Sequence, residues 1–286
     1  SRTASLLGFE GLVENSVDAV SSRDFAFETA ASLAILMVNM SRICEDLIVW
    51  SSSEFGYVEL ADAYSSTSSV MPQKKNPCTL ELIRGETGTV CASLIENLVT
   101  VKGLPTGYSR DLQTIKPSLW ATLKMVKVCL QVMLGAISSM KINSEQWMKA
   151  TRNSYAMAVD LAEELTRKGI PFRQSHKLVG TLVKDLVEHR LGVKDVTSGM
   201  VSSLSQRITG KKVNLTDTEI SHVVDPLNSL EARQSVGGPS QREIGRMLQE
   251  RKKNLEEYSN LVRSRVARLG EANSKLRSIV HEYVTG

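Results

Sequence analysis

Residues 65–86 read SSTSSVMPQKKNPCTLELIRGE, and this stretch contains the change from a polar segment to a helical pattern around which the rest of the chain is organised. Its first half does not form a helix, because Ser and Thr hydroxyls compete with the backbone for hydrogen bonds. Pro72 and Pro77 each remove an amide donor and push the preceding residue out of the α region. From Thr79 onward, apolar residues recur at helical spacing, with Leu82, Val90, Leu94, Leu98 and Val101 along the side expected to pack. The stretch therefore predicts a polar loop, residues 65–78, that leads directly into a long helix.

The side chains of this loop suit an anionic substrate. Ser68 and Ser69 offer hydroxyls, Lys74 and Lys75 offer positive charge, and Asn76 offers an amide. Ser, Lys, Asn and Pro are also the residues of an ordinary solvated loop. Composition alone leaves both interpretations open.

The run SSVMPQKKNP at residues 68–77 resembles the signature loop of the fumarase/aspartase/argininosuccinate lyase superfamily. In that superfamily the loop reads Gly-Ser-Ser-x-Met-Pro-x-Lys-x-Asn. Here Thr67 replaces the glycine, which restricts the backbone but removes no functional group. Two further segments, NSVDAVSSRDF at residues 15–25 and KGLPTGYSRDLQTIK at residues 102–116, resemble argininosuccinate lyases in particular.

This resemblance implies a carbon–nitrogen lyase that converts argininosuccinate to L-arginine and fumarate, the last step of arginine biosynthesis, without a cofactor. By the family's pattern, Ser68 is the base that removes a proton from the carbon next to a carboxylate, and Ser69 is the competing assignment. Glu81 orients the loop. The substrate-binding positions are Arg23, Lys74, Asn76, Tyr108, Gln113 and Lys116.

Without the resemblance, the same residues have simpler interpretations. Arg23 alone fits a helix-entry salt bridge with Asp24 or Glu28, and each residue of the second motif alone fits a surface position. A serine hydroxyl is a very weak acid, so Ser68 acts as a base only if its alkoxide is strongly stabilised. We expect loop lysines and backbone amides to supply that stabilisation.

Composition bounds the function. The 286 residues carry a net charge of +4 with basic and acidic residues interleaved, which does not indicate a nucleic-acid partner. The four cysteines, Cys44, Cys78, Cys91 and Cys129, lack metal-ligand spacing and predict thiols in a reducing compartment, and no metal site is expected. The longest apolar run, residues 33–38, is too short to cross a bilayer. We therefore predict a soluble protein, cytoplasmic or of an organelle stroma, with no membrane contact.

Helical periodicity without intervening strands predicts an all-α fold, a long-helix bundle with a smaller C-terminal helical domain. Helices are expected at about 24–52, 79–101, 117–140, 145–168 (one or two), 175–190 and 241–283. We assign residues 1–142 to the bundle domain, incomplete at its N-terminal side, and 143–286 to the smaller domain. Trp120 is predicted to fill the core, and His176 to form a structural hydrogen bond. The resemblance implies a homotetramer with active sites shared between subunits.

The family's catalytic Thr-His pair and Ser-Arg-Asn substrate segment lie N-terminal to the region matched here. The chain begins at Ser1 and not at Met. We therefore expect a C-terminal part of a longer protein, and little or no lyase activity from residues 1–286 alone. Two alternatives stay open: another superfamily lyase, such as adenylosuccinate lyase, and a non-catalytic, crystallin-like helical scaffold. Residues 102–116 argue against the first, since adenylosuccinate lyases are not expected to carry that motif.

Overall fold

The fold of the chain is helical, as predicted. The computed structural model describes residues 2–68, 70–71 and 75–285. The described residues form twelve α-helices, and their β-strands are two residues long. Contacts divide the chain into two compact units, residues 1–144 and residues 145–286. The assignment of these regions to a bundle domain and a C-terminal domain of a longer protein stays a prediction.

The first unit is built on three long helices. Its helices are α1 (Arg2–Leu6), α2 (Ser16–Ser21), α3 (Asp24–Trp50), α4 (Cys78–Val101) and α5 (Ile115–Ser139). Its strands are β1 (Val58–Glu59), β2 (Ser66–Thr67), β3 (Lys75–Asn76) and β4 (Lys141–Ile142). β1 pairs antiparallel with β4, and β2 pairs antiparallel with β3. The predicted limits of the three long helices hold to within about two residues, because Pro and Gly punctuate the sequence between them.

Small and flexible side chains let α3, α4 and α5 pack closely. On α3, Ala26, Ala30 and Ala34 are buried, followed by Met37 and Met40. The Arg84 guanidinium on α4 forms an ion pair with Glu45 on α3. Burial of this continuous apolar interface is the main stabilising term for such a unit.

Two predictions about which residues face the core are wrong. On α4, Leu82 is 66% exposed, and the buried face consists of Leu80, Ile83, Thr87, Val90, Ser93 and Asn97. On α5, Trp120 is 62% exposed and does not fill the core. Apolar residues surround both helices, so a period of 3.6 residues fits more than one face. Sequence periodicity could not decide which face turns inward.

One described helical segment, residues 110–139, is long and apolar enough by composition to cross a membrane. The core helix of a globular unit passes the same test. Here the segment includes α5, which packs against α3 and α4. The apolar character of α5 therefore fits its place in the helical unit, although part of its surface is exposed.

The second unit consists of shorter helices and one very long one. They are α6 (Ser144–Arg152, which begins at the end of the first unit), α7 (Ala158–Arg167), α8 (Phe172–Glu188), α9 (Ser198–Thr209), α10 (Asp217–Val223), α11 (Pro226–Ala232) and α12 (Gln241–Thr285). Its core gathers Leu161, Leu165, Leu178, Leu182 and Ile220. Glu243 is the only buried residue of the 45-residue α12, most of which is exposed, and the helix carries ion pairs such as Lys253–Glu257.

His176 does not form the structural hydrogen bond that its position at a helix start predicted. Its side chain is exposed on the first turns of α8, and no hydrogen bond joins it to another described residue. The imidazole ring lies 6.2 Å from the ring of Phe172, measured between centroids. A neighbouring ring four residues earlier explains its position without a polar partner.

Candidate active site

The described part of the signature loop is a short hairpin. Ser66 on β2 lies opposite Asn76 on β3, and Thr67 lies opposite Lys75. Among the described non-glycine residues only Arg190 has a positive φ, so Thr67 occupies ordinary extended backbone. Threonine therefore replaces the family's glycine without strain. Ser68 follows β2 directly, and Asn76 ends β3.

The hydroxyl oxygen of Ser68 accepts two backbone hydrogen bonds. The amides of Val70 and Met71 each donate to Ser68 Oγ at 3.2 Å. Hydrogen bonds donated to an oxygen favour its anionic form. Ser and Thr side chains also make such bonds in ordinary turns. The arrangement thus provides the kind of amide environment that a serine alkoxide requires, in a half-buried position.

Lys75 is bound by two carboxylates. Its Nζ lies 2.9 Å from Glu59 Oε1 and 2.6 Å from Asp62 Oδ1. These hydrogen bonds hold the pKa of both carboxyl groups below their ordinary values and raise the pKa of the Lys75 ammonium. All three groups are therefore charged at neutral pH. Sequence reasoning missed this contact, because the acidic partners lie well upstream, outside the motif.

The residues of the second motif meet at the start of α5. Gln113 Nε2 donates a hydrogen bond of 3.0 Å to the Tyr108 hydroxyl. Gln113 ends a short 3₁₀ turn, Arg110–Gln113, and Lys116 stands exposed in the first turn of α5. Tyr108 and Gln113 are therefore paired at an exposed surface, and Lys116 stands exposed three residues further along the chain.

Arg23 lies at a cavity beside this segment. Its guanidinium donates hydrogen bonds to the carbonyl oxygens of Ser22 (2.7 Å) and Val20 (3.2 Å), and it forms no ion pair with Asp24 or Glu28. The cavity has a volume of about 550 Å³ and is lined by Arg23 and by residues 104–107 and 112, among others. The predicted salt-bridge interpretation of Arg23 is wrong, because its side chain turns back onto α2.

The structure places these two groups of residues at opposite ends of one helix. Ser68 and Asn76 precede the N-terminus of α4, and Tyr108 and Lys116 follow its C-terminus. The 24 residues of α4 span roughly 36 Å at 1.5 Å per residue. A single copy of the chain does not bring both groups to one small substrate.

Three predicted residues carry less structural information. Lys74 and the alternative base Ser69 lie outside the described residues. Glu81 stands exposed in the first turn of α4, and its carboxylate forms no hydrogen bond to another described side chain. An acidic group there stabilises the N-terminus of a helix. The loop-orienting role of Glu81 stays a prediction.

Neither metal nor thiol chemistry is indicated in the described residues. Their His, Cys, Asp and Glu side chains form no group of three or more able to hold a metal ion. Cys44 and Cys129 are buried, and burial raises the pKa of the Cys44 thiol to about 11. A thiol with such a pKa is a poor nucleophile.

Known families match two regions of the chain. A family described as "Lyase" matches residues 2–92, and a family described as "Argininosuccinate lyase C-terminal" matches residues 155–231. The argininosuccinate lyase of Methanothrix thermoacetophila is 40% identical over 285 residues, which cover 99% of this chain and 56% of that protein. The argininosuccinate lyase of Methanosarcina mazei is 41% identical over 283 residues, covering 99% and 57%. The chain is similar to argininosuccinate lyases along almost its whole length.

Two solved structures of other enzymes superpose on the chain. An EDDS lyase in complex with formate superposes with a TM-score of 0.86 at 26% identity, covering 98% of this chain and 56% of the other. A class II fumarase from Schistosoma mansoni, at 16% identity and a TM-score of 0.60, shares the fold. The chain spans just over half the length of the argininosuccinate lyases it matches.

Proposed function

We propose that this chain supplies the signature-serine hairpin and the Tyr108–Lys116 surface of an argininosuccinate lyase. The reaction is the reversible elimination that converts argininosuccinate to L-arginine and fumarate. Identity of about 40% to argininosuccinate lyases over 99% of the chain supports the substrate class. The two amides on Ser68 Oγ are the observation that carries the catalytic part of the proposal.

The proposed chemistry begins at Ser68. As an alkoxide stabilised by the amides of Val70 and Met71, it takes a proton from the carbon next to a carboxylate of the succinyl group. The electron pair left behind moves into that carboxylate and then returns to form the double bond of fumarate, while the electron pair of the breaking carbon–nitrogen bond leaves with the guanidinium group of the arginine moiety. The neutral guanidine so formed takes up a proton from water. Negative charge builds on the carboxylate, so preorganised donors accelerate the step. Asn76 and Lys74 are the proposed donors, and Arg23, Tyr108, Gln113 and Lys116 the proposed substrate contacts.

We propose further that the active protein is a homotetramer in which each site combines segments of different copies. The separation of Ser68 from Tyr108 and Lys116 along α4 supports this arrangement. Apolar side chains that are exposed in one copy also support it, such as Ile95 on α4 and Leu134 on α5. The proposed compartment is the cytoplasm, with small molecules as the only other partners.

The test is fumarate release from argininosuccinate, followed by ultraviolet absorbance. It uses the 286-residue chain and a hybrid protein in which residues 1–286 replace the matching region of the Methanosarcina mazei relative. We expect the hybrid protein to be active. Ser68→Ala should lower its kcat by about 10²–10⁴-fold, the usual contribution of a positioned base. Adenylosuccinate is the competing substrate, and preferred turnover of it would contradict the assignment.

Ser66→Ala is the matched control, because Ser66 is an exposed serine of the same hairpin. We expect it to change kcat by less than about twofold, as surface substitutions generally do. If Ser68→Ala leaves fumarate release unchanged, Ser68 is not the base. A hybrid protein that folds and assembles but releases no fumarate would favour the crystallin-like scaffold.

A further inference from the structure

Of the two adjacent lysines in the loop motif, Lys75 belongs to the described residues. Lys74 lies outside the described residues, whereas the Lys75 ammonium touches two carboxylates. An ammonium has three donors, and two of them are directed at Glu59 and Asp62. The charge of Lys75 is therefore largely neutralised by the protein itself.

The partners of Lys75 are fixed in the unit by backbone structure. Glu59 belongs to β1, and its register partner on β4 is Lys141, just beyond the C-terminal end of α5. Asp62 begins a short 3₁₀ turn, Asp62–Tyr64, that leads into β2. The ion pairs therefore connect β3 to a strand pair at the end of α5 and to the entry of the hairpin.

A second contact holds the same hairpin from its other side. The hydroxyl of Thr79, in the first turn of α4, donates a hydrogen bond of 2.6 Å to the Tyr64 carbonyl oxygen. The Tyr64 side chain lies against Gly135 of α5, at the place where a Cβ atom would be on any other residue. Only glycine leaves room for this ring. Both ends of the hairpin are thus tied to α4 and α5.

We propose that Lys75 is a positioning residue that holds β3, and through it Asn76 and the start of the Ser68 turn, by its ion pairs with Glu59 and Asp62. This inference rests on the proposed lyase function and assigns different roles to the two lysines, with Lys75 binding protein carboxylates and not substrate. Removal of its side chain would leave Glu59 and Asp62 unpaired beside β3. Small displacements of catalytic groups lower turnover strongly.

The experiment compares four variants of the hybrid protein. They are the single variants Lys75→Met and Lys75→Arg, the double variant Glu59→Gln/Asp62→Asn, and the triple variant Lys75→Met/Glu59→Gln/Asp62→Asn. We expect Lys75→Met to lower kcat about tenfold with little change in KM, and Lys75→Arg to keep most of the activity because arginine can still bridge the carboxylates. The double variant Glu59→Gln/Asp62→Asn should lower kcat by a similar factor. The triple variant should be no worse than Lys75→Met, because groups that act as one unit are not additive.

Lys141→Met is the matched control, since Lys141 lies opposite Glu59 on the strand ladder and makes no ion pair with the described residues. It removes one nearby positive charge without touching β3, and we expect kcat to stay unchanged. Hydrogen–deuterium exchange on the 286-residue chain provides a readout that needs no activity. Lys75→Met should speed exchange in residues 66–67 and 75–76, and Lys141→Met should not.

The outcomes separate the two proposals. An inactive parent hybrid overturns the proposed function, whatever the exchange data show. An active parent whose Lys75→Met variant keeps its kcat overturns only the role of Lys75. A large rise in KM in Lys75→Met and in the triple variant that the Glu59→Gln/Asp62→Asn variant does not share, or additive losses across the set, would make Lys75 a substrate ligand and overturn the inference as well.

Discussion

Asn97 is a buried amide whose polar atoms have no partner among the described residues. It is 1% exposed on the inner face of α4, and neither its Nδ2 nor its Oδ1 forms a hydrogen bond there. Ser93, one turn earlier, is also buried, but its hydroxyl forms hydrogen bonds with Ser118 and Thr122 on α5. An unpaired buried polar group costs about 1–3 kcal/mol.

Replacing Asn97 with leucine should therefore stabilise the protein. We expect Asn97→Leu to raise the free energy of unfolding by about 1–2 kcal/mol, measured by denaturant titration of the 286-residue chain. Asn39→Leu, at an exposed position on α3, is the control and should change it by less than about 0.5 kcal/mol. A clear loss of stability in Asn97→Leu would show that the amide has partners in solution.

The sequence was informative about single residues where a motif fixed several chemical groups at once. Ser68 was predicted as the base from the resemblance of the loop, and that role stays a prediction, although its hydroxyl oxygen does accept two amide hydrogen bonds. The partners of Lys75 could not be predicted. Glu59 is sixteen positions away, and only the folded β1–β4 and β2–β3 pairs bring it to Lys75.

Helix α10 shows how a local element acquires its own pH dependence. Thr216 and Glu219 form a capping box, and Glu219 also accepts a hydrogen bond of 2.7 Å from Lys168 at the end of α7. The Lys168 ammonium, followed by the Thr216 amide and hydroxyl, lowers the pKa of the Glu219 carboxyl from 4.5 to about 2. The stabilisation is therefore fully present above pH 4.5 and is lost as the pH falls towards about 2.

Substitution of Glu219 should remove that dependence. We expect Glu219→Gln to lower the melting temperature at pH 7, and the gap to the parent to close as the pH falls from about 4.5 to about 2. Differential scanning calorimetry across this range measures it. Glu188→Gln, whose carboxylate lies 3.7 Å from Lys184, is the control and should have little effect. A gap that is equal at pH 3 and pH 7 would contradict the assignment.

The limits of the helices were predicted better than the side that each helix buries. The limits of α4 follow from Pro77 at its start and from Gly103 and Pro105 beyond its end, and these residues act locally. The inward face of α4 depends on what packs against it, so Leu82 was placed wrongly. The same limit applies to Trp120 on α5. A helix that is apolar on several sides can pack against neighbours with any of those sides. The sequence alone does not show which side is buried in this unit.

At the scale of the whole molecule, the proposed association of copies accounts both for the exposed apolar faces and for the separation of Ser68 from Lys116. Ile95, Trp120 and Leu134 would be covered if long helices of several copies packed together. The same association would bring the Ser68 hairpin of one copy to the Tyr108–Lys116 surface of another. Closed symmetric assemblies of identical chains are the common form of soluble oligomers.

Mixing two inactive variants of the hybrid protein tests this central claim most directly. Ser68→Ala and Lys116→Met are each prepared, shown to lack activity, mixed in equal amounts, and allowed to exchange subunits while native mass spectrometry confirms mixed oligomers. If each site takes Ser68 and Lys116 from different copies, fumarate release should return to about one quarter of the unsubstituted rate, since each segment is intact half of the time. Mixed oligomers that remain inactive would show that both residues serve a site within one copy, and would contradict the account.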